Sequence, residues 1–398
     1  MKVLYLSTIV PYPLDDGDRQ RCYHLLEAVA AKHQVHLLSF VRSPEEAAHL
    51  KSLDRLCAST QGVPINRARV YANSLAAWLG PSSLNVSSFQ TTVMAEAVKQ
   101  AVARHRIEVL HAYRLRMAPY ALAAQVRWRV LDYTDSLARQ FANRLEEHPA
   151  AWQRWYWSRE AEKLASYETE VSRRFDAAFI SSSADRDYLQ ALGAGPITEV
   201  TNGVDTRVIK PAKRLPQEPR LLFVGNLEYP PNHWGVKDFC RRTWPLIRSQ
   251  EPRAQLTVIG RRPRDFSREA AYRQPGLEFL GVVPDLGPHY RSSRLAICPV
   301  NVASGRQFKV LEYFAAGLPT VTTRRVADNA QARPGRECLA ADAPGDFARE
   351  VIRLLKDDKL ADRLRTSARA LVLKKYDWRL AAAKLLAVYR ALPGGRAC

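Results

Sequence analysis

The sequence has few cysteines and none of the close cysteine spacings that bind zinc or build a disulfide framework. Its 398 residues include six Cys, and no two of them stand in a Cys-x-x-Cys arrangement. These absences exclude a secreted disulfide scaffold and give no indication of a metal site. We therefore expect a reduced, cytoplasmic compartment and no bound metal.

Long apolar runs are also missing. No run reaches the ~18 residues that indicate a membrane-spanning helix. The apolar stretch at the N-terminus ends at Pro11 and has no small-residue cleavage site, which argues against a signal peptide. It is predicted to form a first β-strand.

Two phosphate-binding fingerprints are absent, namely GxGxxG and GxxxxGK[ST]. The loop after the first predicted strand holds a single glycine, Gly17, and opens a helix whose free N–H groups could face a phosphate. Asp15, Asp16 and Asp18 would repel a phosphate placed directly against them. The alternative is that Asp16 or Asp18 caps this helix.

What the sequence does have is an excess of positive charge. Lys and Arg number 60 and Asp and Glu number 40, for a net charge of +20. Residues 1–200 contribute +3 and residues 201–398 contribute +17. A basic half favours polyanions such as phosphorylated small molecules or anionic lipid, although an arginine-rich composition would explain much of the charge. A nucleic-acid-binding protein is a further hypothesis, but no helix-turn-helix, zinc or RNA-recognition signature is present, and no nucleic acid is expected.

Short apolar runs alternate with helical periodicity along the whole chain. The predicted strands of the first half are Val3–Ser7, Val35–Phe40, Glu108–His111, Arg129–Leu131, Ala177–Ile180 and Thr198–Val200. Those of the second half are Arg220–Val224, Gln255–Ile259, Leu277–Phe279, Leu295–Cys298, Thr320–Thr322 and Cys338–Ala340. Such alternation predicts an α/β fold with two doubly wound parallel sheets.

The predicted domains follow from this pattern. Residues 1–204 form the first domain, the Pro- and Lys-containing stretch 205–219 is the linker, and residues 220–376 form the second domain. A last helix lies within residues 377–398. Because ligands of such sheets bind beyond the carboxyl ends of the strands, the loops after the strands are the candidate sites.

Two loops of the second half carry the strongest chemical pattern. Gly225 and Asn226 follow the first strand, and Asn232 is expected to cap the next helix after two prolines. A second loop, with Ser304 and Gly305, opens a helix in which a spacing of three places these side chains on one face: Arg306, Lys309 and Glu312. The cations would neutralise a diphosphate and the carboxylate would accept hydrogen bonds from a diol, but a ladder of salt bridges on a solvated face explains the spacing equally well.

At this point the chain resembles the family 4 glycosyltransferases of the GT-B fold. The resemblance rests on Asn202-Gly203-Val204-Asp205, Phe223-Val224-Gly225, Val258-Ile259-Gly260, Lys309-Val310-Leu311-Glu312-Tyr313 and Gly317-Leu318-Pro319. More narrowly, the chain is similar to sugar transferases of exosortase-type exopolysaccharide clusters. That likeness lies in Met117-Ala118-Pro119-Tyr120, Gly225–Asn232, Phe239, Trp244-Pro245-Leu246-Ile247, and Ile259-Gly260-Arg261 with Pro263.

The resemblance implies two Rossmann-like domains facing across a cleft, with the C-terminal helix returning to the first domain. It implies metal-independent, retaining transfer of a sugar from a nucleotide-sugar donor, such as a UDP- or GDP-sugar, to a saccharide or lipid-linked saccharide. No other cofactor is expected. Glu312 would hold the ribose hydroxyls, Arg306 and Lys309 the diphosphate, and Gly17 would lie against the diphosphate from the first domain.

Two positions depart from the family pattern. Ser304 stands where many members carry a glutamate near the transferred sugar, and Asn226 stands where many carry a cation. Neutralisation of the diphosphate then depends more on Arg306, Lys309 and Arg261. A GT-B-related nucleotide-sugar epimerase is the alternative enzyme class.

The first domain offers a less specific chemistry. His111, at the end of a predicted strand, is a candidate to donate to the sugar or the donor phosphate, and a buried core histidine is the alternative. Asp135 follows the next strand and would orient an acceptor hydroxyl or cap a helix. The aromatic and basic segment 152–157 suits peripheral contact with an anionic membrane, at the inner face of the cytoplasmic membrane, or equally a packed helix.

Overall fold

The structure is a computed structural model that describes residues 1–65, 70, 83–145, 150–263, 269–301 and 307–392. The chain divides into two units. The first comprises Met1–Thr201 together with the chain from Arg379 onward, and the second comprises Asn202–Trp378. The predicted linker, 205–219, lies within the second of these units.

The first unit is built on a parallel sheet of seven strands in the order β3-β2-β1-β4-β5-β6-β7. The strands are β1 (Lys2–Ser7), β2 (Gln34–Val41), β3 (Ser59–Pro64), β4 (Val109–Tyr113), β5 (Trp128–Asp132), β6 (Ala177–Ile180) and β7 (Thr198–Glu199). All five residues of β4 are buried, as expected of a strand covered by helices on both faces. In register, Val3 of β1 pairs with Val109 of β4.

Helices connect these strands. They are α1 (Gly17–Ala30), α2 (Pro44–His49), α3 (Leu84–Ser87), α4 (Thr92–His105), α5 (Ala118–Ala123), α6 (Leu137–Leu145), α7 (Ala151–Arg174) and α8 (Ser183–Ala191). The bounds of α4 follow from its ends: the Thr91 side chain caps the first turn by accepting from the Met94 N–H, and Arg106 stops the helix at φ 53°.

A buried ion pair ties α1 to the sheet of the first unit. Nη2 of Arg21 lies 3.0 Å from a carboxylate oxygen of Asp132, and neither side chain is exposed to solvent. Arg21 also donates to the carbonyl oxygen of Val200 at 2.7 Å. Removing either partner of such a pair leaves a buried, uncompensated charge, so the pair fixes where α1 packs.

The second unit repeats the architecture with a parallel sheet of six strands, in the order β10-β9-β8-β11-β12-β13. The strands are β8 (Arg220–Val224), β9 (Gln255–Ile259), β10 (Leu277–Gly281), β11 (Leu295–Cys298), β12 (Thr320–Thr322) and β13 (Leu339–Ala340). The helices are α9 (Pro230–Asp238), α10 (Trp244–Gln250), α11 (Gly287–Ser292), α12 (Phe308–Ala315), α13 (Arg324–Asn329), α14 (Pro344–Lys356) and α15 (Asp358–Lys375). These two separate sheets confirm the predicted fold class.

The last helix, α16 (Trp378–Ala391), packs with the first unit, as predicted. The Tyr389 hydroxyl lies 2.7 Å from Nδ1 of His111 in β4, and the Tyr389 ring stacks on His33 at 5.3 Å between centroids. At the other end of α16, Trp378 packs with the second unit, where it contacts Gly203 and Phe308. The chain therefore returns to the first unit after completing the second.

Two details of the prediction are wrong. The edge strand β3 was not predicted, because Ser59–Pro64 contains Gly and Pro and only one fully buried residue, Val63. Asn232 does not cap helix α9. The helix begins at Pro230, whose fixed φ suits the first helical position, so that Tyr229 precedes the helix and Asn232 lies in its first turn.

Candidate functional site

The loop after β8 forms the floor of the candidate site in the second unit. The Gly225 N–H donates to the Ile259 carbonyl at 2.8 Å, and the Asn226 side chain accepts from the Glu228 N–H at 2.9 Å. Asn226 thus stabilises its own turn, which is why an uncharged residue fits this position locally.

A glycine in the next loop makes this arrangement possible. Gly260, after β9, has φ 146°, and a Cβ there would lie 2.0 Å from the carbonyl oxygen of Gly225. Only glycine permits such a close backbone approach. The neighbouring Arg261 accepts from the Leu227 N–H through its carbonyl oxygen at 2.9 Å and has an exposed side chain. Arg261 is therefore at the rim of the loop pair.

Lys309, in the first turn of α12, lies directly above this floor. Its ammonium donates to Oδ1 of Asn232 at 3.0 Å and to Oε1 of Gln307 at 2.8 Å, and it lies 5.6 Å from the centroid of the Phe223 ring. A Cβ on Gly225 would lie 2.9 Å from Cε of Lys309, so the glycine makes room for the lysine stem. Burial lowers the pKa of Lys309, partly opposed by the charges of Cys298 and Glu312.

Glu312, one turn further along α12, has a different partner. Its Oε2 accepts from the hydroxyl of the buried Tyr290 in α11 at 2.9 Å, and the Tyr290 ring packs edge-on against Tyr313 at 6.3 Å. Burial, followed by the charge of Glu312, raises the pKa of Tyr290, so this hydroxyl stays a donor. The carboxylate therefore has a fixed neighbour on a second helix.

Within the described part of the chain, Lys309 and Glu312 form no ion pair with each other. Within the described residues, the hydrogen bonds that Lys309 donates both go to neutral amide oxygens. A salt-bridge ladder would have paired the two side chains along the helix. Lys309 is thus a partly buried cation that no carboxylate of the described residues contacts directly.

Three expected site residues, Ser304, Gly305 and Arg306, lie outside the described residues. The described helix α12 begins at Phe308. The roles expected of these three residues stay predictions.

Gly17, in the first unit, is the first residue of α1. Asp16 caps this helix, since its side chain accepts from the Arg19 N–H at 2.8 Å. Asp15 forms an ion pair with Arg19 at 2.7 Å, and Asp18 pairs with Arg114 at the end of β4. The acidic groups near Gly17 thus have cationic partners.

His111 is completely buried in β4 of the first unit. Its ring stacks on Tyr5 at 4.4 Å, and Nδ1 lies beside the Tyr389 hydroxyl. Burial, followed by the charge of Arg21, lowers the pKa of His111 to about 3, so the imidazole is neutral at physiological pH. This position favours the core alternative, and a catalytic role of His111 stays a prediction.

Asp135 follows β5 and is partly buried. Its Oδ1 accepts from the Ser181 hydroxyl at 2.8 Å. Burial and the nearby charge of Asp185 raise its pKa. A carboxyl group with a raised pKa is suited to exchange a proton with a hydroxyl, and this role too stays a prediction.

The sequence alone did not identify Asn232, Gln307 and Tyr290 as partners of the charged residues. Asn232 is 77 residues from Lys309 in the sequence, and Tyr290 is 22 residues from Glu312. Contacts over such separations cannot be predicted from the local spacing of residues. The described residues contain neither a cluster of three or more metal-binding side chains nor a helix long and apolar enough to cross a membrane.

Comparison with protein families gives a match over part of the second unit. Residues 218–357, which include the loop after β8 and helix α12, match the family described as glycosyl transferases group 1. A curated relative is the phosphatidyl-myo-inositol mannosyltransferase of Mycobacterium tuberculosis, 29% identical over 231 residues. That alignment covers 55% of this chain and 60% of the relative's length.

Solved structures match over nearly the whole chain. Sucrose-phosphate synthase from Thermosynechococcus elongatus superposes with a TM-score of 0.72 at 17% identity, covering 99% of this chain and 100% of that one. HepE of Anabaena, solved in complex with UDP-glucose, superposes with a TM-score of 0.67 at 12% identity, covering 98% and 100% of the two chains. At these identities the likeness establishes the fold. The protein thus has the GT-B fold, and residues 218–357, which hold the candidate site, match the group 1 glycosyl transferases.

Proposed function

We propose that the protein is a glycosyltransferase that takes a sugar from a nucleotide-sugar donor, with the donor's diphosphate and ribose bound by α12. The family match of residues 218–357 supports the reaction class. The observation that carries the donor site is Lys309, a partly buried ammonium held only by neutral amide oxygens within the described residues. Such a cation can balance the charge of a diphosphate.

The proposed catalytic task of this site is to stabilise the leaving group. As the bond between sugar and diphosphate breaks, negative charge grows on the leaving diphosphate, and a pre-placed ammonium lowers the energy of that state. The Glu312 carboxylate, one turn away, would accept from the two ribose hydroxyls. We further propose that transfer retains the anomeric configuration and that Arg306, Arg261 and Gly17 add contacts to the diphosphate.

The donor and acceptor are proposed by class. A UDP- or GDP-sugar fits a site for ribose and diphosphate, and the HepE structure was solved with UDP-glucose. A saccharide or lipid-linked saccharide is proposed as the acceptor, in bacterial exopolysaccharide or other glycoconjugate biosynthesis. His111 remains a candidate to donate to the sugar or the donor phosphate, and Asp135 remains a candidate to orient an acceptor hydroxyl.

The donor site is tested by calorimetry with UDP and GDP on three variants, Lys309→Ala, Glu312→Ala and Glu312→Gln. Losing one charge-assisted contact should cost about 1.5–3 kcal/mol, which is about 10- to 150-fold in affinity. Glu312→Gln keeps the size and one acceptor oxygen, so a ribose role predicts a partial loss. If all three variants bind nucleotide like the parent but melt at lower temperature, the helix face is structural and the site assignment is wrong.

The reaction is tested by incubating the protein with a panel of UDP- and GDP-sugars. Release of UDP or GDP supports a transferase, and nuclear magnetic resonance of the product reports whether the anomeric configuration is retained. Interconversion of the sugars without transfer would instead indicate an epimerase. Salt-sensitive DNA binding with no nucleotide binding would contradict both enzymes.

We also propose peripheral contact with an anionic membrane through α7. Trp152 and Trp155 are 70% and 53% exposed, while Tyr156 and Trp157 pack against the core of the first unit. Trp155 lines an open groove of about 660 Å³ on this helix together with Arg154, Arg159 and Glu162. Exposed tryptophans beside arginines suit the interface of a bilayer with anionic headgroups.

A further inference from the structure

The Asn232 side chain connects the loop after β8 with helix α12. It is only 5% exposed. Its Nδ2 donates to the carbonyl oxygen of Asn226 at 2.8 Å, and its Oδ1 accepts from the Lys309 ammonium at 3.0 Å. The two partners determine the orientation of the amide, because a carbonyl oxygen needs the NH₂ group and an ammonium needs the oxygen.

The chemical type of this residue has a consequence for Lys309. A carboxylate at the same position would form a direct ion pair with the ammonium and cancel most of its charge. An amide oxygen fixes the direction of the ammonium but adds no charge. Gln307, whose side-chain oxygen is the second acceptor at 2.8 Å, is also uncharged and likewise does not neutralise the ammonium.

The packing around Lys309 makes its direction depend on these amides. Gly225 and the Phe223 ring line the stem, and a Cβ on Gly225 would lie 3.1 Å from Nδ2 of Asn232 as well as 2.9 Å from Cε of Lys309. The lysine and the asparagine therefore share one tightly filled space. Substitution of either side chain should therefore change the position of the other.

We propose that Asn232 is a positioning residue that aims the Lys309 ammonium at the diphosphate of the donor without neutralising it. The inference rests on the donor site proposed above and deepens it. Its distinguishing consequence concerns the diphosphate alone: losing this residue should weaken the binding of nucleoside diphosphates and leave the binding of the nucleoside unchanged.

The test compares Asn232→Asp and Asn232→Ala with the parent. Calorimetry measures the affinity for UDP and GDP, and ligand-observed nuclear magnetic resonance measures that for uridine and guanosine. Asn232→Asp should lower diphosphate affinity by about tenfold or more, because a charge-assisted contact is redirected to the new carboxylate. Asn232→Ala leaves the ammonium charged but removes the acceptor that orients it, so diphosphate affinity is expected to fall by about three- to tenfold. Nucleoside affinity should stay within about twofold for both variants.

Two controls separate positioning from folding and from net charge. Gln250→Glu, on the exposed end of α10, makes the same change of charge on the surface and should bind like the parent. In the Lys309→Ala background, Asn232→Asp should have no further effect on diphosphate affinity, since the two residues act as one unit.

The outcomes are distinct. Equal losses of nucleoside and diphosphate affinity, or a lower melting temperature with unchanged diphosphate affinity, assign Asn232 a structural role and overturn the inference. Parent-like diphosphate affinity in Asn232→Asp, alongside a loss in Lys309→Ala, overturns this inference alone. A parent protein that binds neither UDP nor GDP overturns the proposed donor site, and the inference with it.

Discussion

Glu168, in α7, is a carboxyl group without any exposed surface at the start of helix α6. It accepts from the Ser136 hydroxyl at 2.7 Å and from the N–H groups of Leu137 and Ala138 at 2.8 and 3.4 Å. These donors favour the charged form, but burial outweighs them and raises the pKa of Glu168 to about 8. Over much of the physiological range the folded protein therefore holds a proton that the unfolded chain has released.

This proton predicts how stability depends on pH. Because the folded pKa lies above the unfolded value, the contribution of Glu168 is fully present below about pH 4.5 and is lost as the pH rises through about 8. Glu168→Gln cannot titrate. Between pH 5 and pH 8 the free energy of unfolding of the parent should fall relative to this variant by about 2–4 kcal/mol, measured by urea denaturation. If the free energies of unfolding of the two proteins change with pH in parallel, the hydrogen-bond donors outweigh burial and Glu168 is charged.

The residue scale also shows what the sequence could and could not predict about the site. Lys309 and Glu312 were predicted, because a spacing of three on a helix is a local pattern. The same pattern could not decide between a salt-bridge ladder and a ligand site. In the structure Lys309 contacts Asn232 of α9 and Glu312 contacts Tyr290 of α11, and contacts between such distant elements leave no periodic signal. The ligand site itself stays a prediction. The sequence likewise left two interpretations of His111, and its burial against Tyr5 and Tyr389 favours the core histidine without testing the catalytic role.

At the scale of elements, the loop after β8 and the start of α12 depend on Gly225. Gly225→Ala places a Cβ 2.9 Å from Cε of Lys309 and 3.1 Å from the Asn232 amide. The flexible lysine can move away, so the expected loss of stability is modest, about 1 kcal/mol. Because the ammonium leaves its position, diphosphate affinity should fall by about tenfold. Calorimetry with UDP and GDP and thermal denaturation measure the two effects.

A matched glycine provides the control for that loop. Gly345 lies in the first turn of α14, and beyond its chain neighbours and its own helix backbone no described atom lies within 4 Å of the position a Cβ would take. Gly345→Ala should leave nucleotide affinity unchanged and stabilise the protein by about 0.4–1 kcal/mol, since the unfolded chain loses freedom. Unchanged diphosphate affinity in Gly225→Ala would mean that the position of Lys309 does not matter for binding.

The elements themselves were largely predictable. Twelve of the described strands are predicted by short apolar runs in the sequence. Such runs are expected because a strand covered by helices on both faces needs apolar side chains on both faces. The missed strand, β3, lies at the edge of its sheet, where one side needs no partner and where Gly62 and Pro64 are tolerated. Helix α9 begins at Pro230, ahead of the predicted cap at Asn232, because proline is well tolerated in the first turn of a helix.

At the scale of the whole molecule, charge and exposed aromatic surface are distributed unevenly. The net charge of +20 falls almost entirely on residues 201–398, whereas the exposed tryptophans of α7 belong to the first unit. A purely electrostatic attraction would depend on salt and not on tryptophan. Insertion of aromatic rings into a bilayer interface would depend on tryptophan and little on salt. The two contributions to membrane binding can therefore be measured separately.

Sedimentation with vesicles makes this measurement. The protein should bind vesicles that contain phosphatidylglycerol at low salt, bind neutral phosphatidylcholine vesicles weakly, and dissociate as salt rises, since each well-placed cation adds about 1 kcal/mol. A Trp152→Ser, Trp155→Ser double variant should lose about tenfold in affinity for the anionic vesicles while keeping the salt dependence. The control is Val282→Ser, which removes an apolar side chain that is 67% exposed in the second unit and should leave vesicle binding unchanged. Equal binding of the parent to neutral and anionic vesicles would contradict the membrane proposal and leave the donor site untouched, because Lys309, Asn232 and Glu312 lie in the second unit and α7 lies in the first.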